Sequence, residues 1–159
     1  MGRYYEDFAV GDTYKHWPGR TVTAADNTWF TLLTMNQPPI HFDEEYARRT
    51  EFGRPLVNSA LTLAIVVGMS VADVSRNAIA NLGWTDIRMP EPVFNGDTLY
   101  AESTVTGKRE SKSRPHQGVV TVATRAWKQD GTTVMTFTRS VLVPGRGHGV
   151  MDEVTHRAP

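Results

Sequence analysis

The 159-residue sequence contains no cysteine. That absence removes disulfide scaffolds, thiolate metal sites and cysteine nucleophiles together, and it suits a cytoplasmic protein. An excess of one charge is missing too, since seventeen basic and seventeen acidic side chains give a formal net charge of zero. Without a charged whole-molecule field, neither nucleic acid nor an anionic membrane is the expected partner. No long hydrophobic run is present. The most apolar stretch, "ALTLAIVVGMSVA" from Ala60, is shorter than a membrane span and carries Thr62 and Ser70. The opening "MGRYYEDFAVGD" lacks the basic then apolar pattern of a signal peptide. These absences lead to the expectation of a soluble cytoplasmic protein. Residues 1–145 are expected to form a single domain large enough to bury a sizeable core. The tail, 146–159, lacks apolar periodicity and is expected to be mobile.

What is there divides into two halves. From Leu56 to about Val74 apolar residues occupy nearly every side, which predicts a helix buried all round, with Asn58 and Ser59 as caps after Pro55. Shorter helices are predicted over about Ala24 to Thr34 and Glu44 to Arg49. Strands are predicted at Thr13 to Trp17 and Trp84 to Met89. Three more follow in "DTLYAESTV", "GVVTVATRAW" and "TTVMTFTRSVLV", where Val and Thr alternate with period two. Asp130-Gly131 marks a hairpin between the last two. Long antiparallel strands wrapped around one hydrophobic helix satisfy this order, an α+β arrangement. Between the short helices, "TMNQPPIHFDEEYA" (Thr34 to Ala47) places two prolines directly before His41, poor composition for a helix or a central strand.

Four pieces of the chain resemble the MaoC-like hot-dog family of (R)-specific enoyl-CoA hydratases and dehydratases. They are "FAVGD", "TMNQPPIHFDEEYA", "FGRPLVNSALT" and "PVFNGDTLYAES", and together they span roughly Phe8 to Val143. The family motif has the form G-D-x-N-P-I-H. On this sequence its histidine falls on His41 and its catalytic aspartate on Asn36, while Met35 replaces the glycine and Pro38 the asparagine. The resemblance implies a hot-dog fold, a long central helix wrapped by an antiparallel sheet. It also implies an acyl-CoA thioester as substrate with no further cofactor, and a homodimer or higher homo-oligomer. An exposed edge strand argues for the same pairing.

Hydration of a 2-enoyl thioester to a 3-hydroxyacyl thioester needs a base for the attacking water, an acid for the α-carbon, and donors for the thioester oxygen. His41 suits the acid/base role because its ordinary pKa lies near neutrality. His41 with Asp43 is a poor metal pair, since no other histidine is close in sequence. Asn36 can orient water but cannot take its proton. Several explanations stay open. His41 acts alone while Asn36 holds the water; another acid such as Asp43 substitutes; activity is lost; or the acyl group carries its own carboxylate. In the last case an amide avoids a like-charge cost of about 4 kcal/mol at about 4 Å, which fits a dicarboxylic acyl group of the mesaconyl or itaconyl type. Arg54 and Arg88 are candidates to hold that carboxylate or the CoA phosphates. By resemblance, the amide of Ser59 polarises the thioester carbonyl, with Asn58 beside it. Trp84 and Tyr100 are assigned to packing, and Trp17 and Trp29 to core or dimer interface. Two alternatives are a hot-dog thioesterase, disfavoured because Leu56 to Ala72 holds no acid, and a silent acyl-CoA binding protein. A Ser-His-Asp hydrolase lacks its G-x-S-x-G elbow.

Overall fold

Alternation along the last three strands decides the architecture. The computed structural model, which describes residues 2–150 and 152, has one five-stranded antiparallel sheet. Its strands are β1 (Thr13–Thr21), β2 (Ala80–Arg88), β3 (Thr98–Glu110), β4 (Gln117–Lys128) and β5 (Thr133–Pro144), in the order β1-β3-β4-β5-β2. Three helices precede β2: α1 (Ala24–Leu33), α2 (Glu44–Arg48) and α3 (Ser59–Met69). A π-helical turn, Val71–Ser75, continues α3. The β4–β5 hairpin turns at Asp130-Gly131, where Gly131 supplies φ +86° and Asp130 accepts from the Thr132 amide (2.9 Å). "GD" at the start of β3 works similarly: the Asp97 carboxylate accepts from the Phe94 amide (2.9 Å), and its carbonyl from the Val22 amide (2.9 Å).

The apolar positions of β3, β4 and β5 face α3. Leu99, Ala101, Ala126, Met135 and Phe137 pack with Leu61 and Val66 of the helix in one core cluster. Val105, Val120, Val122, Val141 and Val143 form a second with Phe8 and Val74. Between the two clusters the inward positions turn polar on every strand: Ser103 on β3, Thr124 on β4, Arg139 on β5, and Ser70 at the end of α3. Each is satisfied. Ser103 bonds Thr124 (2.8 Å), and Arg139 donates to Ser70 (3.1 Å) and Asn81 (2.8 Å). Burial lowers the pKa of the Arg139 guanidinium, which pairs with no carboxylate among the described residues and lies at the partially negative end of α3.

The central helix differs from expectation in two ways. It begins at Ser59 because Leu56 bridges Phe94 and the Val57 amide donates to Val93 (2.8 Å), so both residues are extended. Nor is it hidden all round, because the sheet covers one side only and leaves Ser59, Ala60, Ala64 and Gly68 exposed. Trp84, assigned to packing, is 40 % exposed on the edge strand β2, whereas Tyr100 does pack, against Trp127. Trp17 and Trp29 are exposed and belong to no core cluster. Of the tail, Arg146 pairs with Asp7, and Asp152 accepts from the Tyr4 hydroxyl (2.5 Å). Residues 151 and 153–159 lie outside the described residues. No described helix is long and apolar enough to cross a membrane.

Candidate active site

Pro38 and Pro39 set the course of the chain into His41. Pro38 is extended (φ −63°, ψ 129°), and Pro39 opens a single 3₁₀ turn, Pro39–His41, where its missing N–H costs nothing. The turn delivers His41 inward, leaving 9 % of its surface exposed. Its Nδ1 lies 2.8 Å from the Leu56 carbonyl oxygen. A carbonyl can only accept, so Nδ1 carries the proton and Nε2 presents a free lone pair. That bond selects the tautomer: whenever the ring is neutral its lone pair lies on Nε2, the nitrogen that can act as base. Asp43, one turn on, accepts from the Tyr46 amide (2.9 Å) as the N-cap of α2, which occupies the acid considered as a substitute.

The start of α3 sits directly beyond Leu56. Asn58, 1 % exposed, caps the helix by accepting from the Ala60 amide (2.9 Å). Its own Nδ2 meets no acceptor among the described residues. The capped amide is that of Ala60, so the Ser59 N–H, in the first turn, keeps no intrahelical partner. Donors at the positive end of a helix, here the buried Asn58 Nδ2 and the Ser59 N–H beside it, suit an oxygen that gains negative charge. Ser59 lines a cavity of about 240 Å³ with Thr62, Phe52 and the loop Met89 to Val93.

One buried residue outside the sequence-derived set links these parts. Asn27 of α1, 0 % exposed, donates through Nδ2 to the carbonyls of His41 (2.8 Å) and Leu56 (3.0 Å), and accepts at Oδ1 from the Asn58 amide (2.9 Å). A buried asparagine on a helix face is the only signal of it in sequence.

Comparison with known proteins gives the family of the chain. The family model described as mesaconyl-CoA hydratase matches residues 1–156. The chain belongs to the mesaconyl-CoA hydratase family. A mesaconyl-CoA hydratase of Cereibacter sphaeroides is 38 % identical over 91 % of this chain. An (R)-specific enoyl-CoA hydratase of Aeromonas caviae is 31 % identical over 76 % of the chain and 86 % of its own length. Among solved structures, a putative MaoC domain protein dehydratase from Chloroflexus aurantiacus has a TM-score of 0.86 at 35 % identity, over 91 % of this chain and 41 % of its own. A Mycobacterium tuberculosis protein described as a double hot-dog fold has a TM-score of 0.83 at 22 % identity, over 94 % of this chain and 47 % of its own, a likeness of fold. The α+β hot-dog architecture is therefore the observed one. The chain spans about two fifths (42 %) of the Cereibacter mesaconyl-CoA hydratase.

The remaining candidates of this mesaconyl-CoA hydratase family member are more scattered. Asn36 is exposed in the loop after α1, and no hydrogen bond among the described residues engages its side chain. Neither Asn36 nor His41 lines the cavity that Ser59 faces. Met35 has φ +56°, so the backbone keeps the left-handed conformation that the motif glycine suits. Arg54 lies 3.9 Å above the Phe94 ring and is exposed, and Arg88 is exposed at the end of β2. The structure thus links His41 to Asn58 through Leu56 and Asn27, leaves His41 outside the cavity that Ser59 lines, and exposes Asn36, Arg54 and Arg88.

Tertiary structure also assembles a Ser-His-Asp chain. His16 bonds Asp73 through Nδ1 (2.9 Å) and Ser103 through Nε2 (2.8 Å). Ser103 is 0 % exposed and His16 4 %, so the hydroxyl has no route to a substrate. The chain clasps β1, β3 and the turn after α3.

Proposed function

We propose that this protein hydrates a 2-enoyl-CoA thioester reversibly, with a dicarboxylic acyl group of the mesaconyl type as substrate. One observation carries the proposal: the Leu56 carbonyl holds the Nδ1 proton of His41, so Nε2 is the base, and Leu56 lies two residues before the buried cap Asn58 of α3. In the forward direction Nε2 takes a proton from water as the water oxygen bonds to the β-carbon. The π electrons shift towards the thioester oxygen, which accepts from the Ser59 amide and Asn58 Nδ2. The imidazolium then returns its proton to the α-carbon, so atoms and charge balance. Asn36, in the exposed loop after α1, takes part only if substrate binding brings it to the water, which it would then orient as donor and acceptor. Its neutrality spares an acyl carboxylate a like-charge contact.

A second hot-dog unit completes the site. It is a second copy of this chain or a second domain of a longer one, as the greater length of the relatives supports. The edge strand β2 exposes Leu82, Trp84 and Ile87 beside an open backbone edge, and α3 presents Ala60, Ala64 and Gly68.

Loss of the enoyl-thioester absorbance, measured with crotonyl-CoA and mesaconyl-CoA side by side and checked by product mass, tests the proposal. Preference for mesaconyl-CoA that disappears in His41→Ala supports both base and substrate. Preference for crotonyl-CoA keeps the hydratase and rejects the charge argument; turnover of neither rejects the reaction. One observation favours a second reading: Glu91, from the β2–β3 loop, lines the Ser59 cavity and brings a carboxylate to the central helix. Release of free CoA thiol, abolished in Glu91→Gln, would make the protein a thioesterase.

A further inference from the structure

We infer that Asn27 is the positioning residue of the site, fixing the base and the oxygen-binding helix start relative to each other. The inference rests on the assignment of His41 as base. Two stretches of chain supply the two reacting halves: the 3₁₀ turn carrying His41, and residues 56–59, which run from the extended Leu56–Val57 pair through the cap Asn58 into α3. Among the described residues, Asn27 is the side chain that bonds both stretches, at the His41 carbonyl, the Leu56 carbonyl and the Asn58 amide. Its amide has two N–H donors and one acceptor oxygen, and here both faces are engaged, two carbonyls on Nδ2 and one backbone N–H on Oδ1. The alternative amide orientation would set oxygen against two carbonyl oxygens, so the network itself fixes the side chain.

The Leu56 carbonyl accepts from Asn27 Nδ2 and His41 Nδ1 together. Asn27 therefore pins the acceptor that selects the imidazole tautomer. Its bond to the His41 carbonyl fixes the backbone from which the ring projects, and its bond to the Asn58 amide fixes the cap that orders the first turn of α3. A shift of either half by an ångström loses on the order of a hundredfold in rate. No other side chain fits: aspartate lacks the paired donors, leucine all polar atoms, and glutamine is longer by a methylene.

The test compares Asn27→Asp, which keeps shape and the Oδ1 acceptor, with Asn27→Ala, using two readouts. Hydration kinetics are expected to show kcat lowered on the order of a hundredfold with KM changed less than threefold. Nitrogen-15 spectra of the imidazole, recorded without substrate, are expected to move from the Nδ1–H tautomer towards a mixture. A folded variant with unchanged kcat and an unchanged His41 tautomer overturns the inference. If both variants fail to fold, the unmodified protein decides. The Asn27 side-chain N–H that bonds the Leu56 carbonyl must then shift with the titration of His41, because it shares that acceptor with the ring, and a resonance that stays flat overturns the proposal. The spectra need no turnover. A protein inactive on every enoyl-CoA but with coupled Asn27 and His41 signals would reject the hydratase and leave the positioning role standing.

Discussion

Ser59 contributes a backbone amide, so its side chain and its N–H are separable. Ser59→Ala is expected to hydrate the enoyl thioester within a few-fold of the unaltered protein. Ser59→Pro removes the N–H at the first helical position, where proline is tolerated, and Asn58 before it is already extended at ψ 128°. It should fold normally yet lose about 10²–10³ in kcat. Equal activity of the two variants in a steady-state assay would show that the amide does not hold the thioester oxygen. Met35 gives a stability prediction. A side chain in the left-handed region costs about 1–2 kcal/mol, partly offset by the greater unfolded-state freedom of glycine. Met35→Gly is therefore expected to raise the calorimetric midpoint by about 2–4 °C per kcal/mol gained. A lowered midpoint would mean that loop contacts of Met35 outweigh its backbone strain.

At the scale of elements, the start of α1 is a capping box. Thr23 Oγ1 accepts from the Asp26 amide (3.2 Å), and the Asp26 carboxylate accepts from the Thr23 amide (2.8 Å). That backbone bond, helped by the Thr23 hydroxyl and Arg20 and opposed by burial, holds the Asp26 carboxyl below its usual range. A folded pKa below the unfolded one stabilises above the unfolded value, about 3.9, and the contribution fades as pH falls through the lowered value. Asp26→Asn should consequently flatten the acid limb of a denaturant-melt series against pH, and an unchanged limb would remove the capping box from the acid sensitivity. The polar seam makes a different prediction. Ser103→Ala leaves His16 Nε2 and Thr124 short of a partner at a cost of about 1–3 kcal/mol, with hydration activity unaltered, because Ser103 stands away from the His41 site. Lost activity in a stably folded Ser103→Ala protein would make that clasp a reactive centre. Period-two alternation foretold the inward positions of β3 to β5. It did not foretell that Ser103 would bond Thr124 or that Arg139 would reach Ser70 and Asn81, because those meetings depend on strand register and on where α3 ends.

For the whole molecule, the open face of α3 and the edge of β2 leave apolar surface that a second hot-dog unit would cover. Gly68 shows why that side is small: a Cβ there meets nothing within 4 Å in this chain. Taken alone, Gly68→Ala should therefore stabilise the helix by about 1 kcal/mol. In an assembly that uses this face, Gly68→Arg should shift the mass measured by light scattering from dimer to monomer and reduce hydration with it. A dimer untouched by Gly68→Arg would place the partner elsewhere, and a monomeric unaltered protein would assign the second unit to a longer chain.

Sequence alone determined the elements, because each depends on neighbours a few residues away: the apolar run of α3, the alternation of β3 to β5, the Asp130-Gly131 turn, and the prolines that stiffen the approach to His41. It also determined the family, through motifs that lie close together along the chain. Tertiary structure decided which groups meet. Only folding brought the Leu56 carbonyl to His41 Nδ1, Glu91 to the Ser59 cavity, and Ser103 to His16, and only folding made Asn27 the common partner of His41, Leu56 and Asn58. Hydrogen bonds across fifteen to nearly ninety residues leave no periodic trace in sequence, since they require direction and distance in space rather than a spacing along the chain.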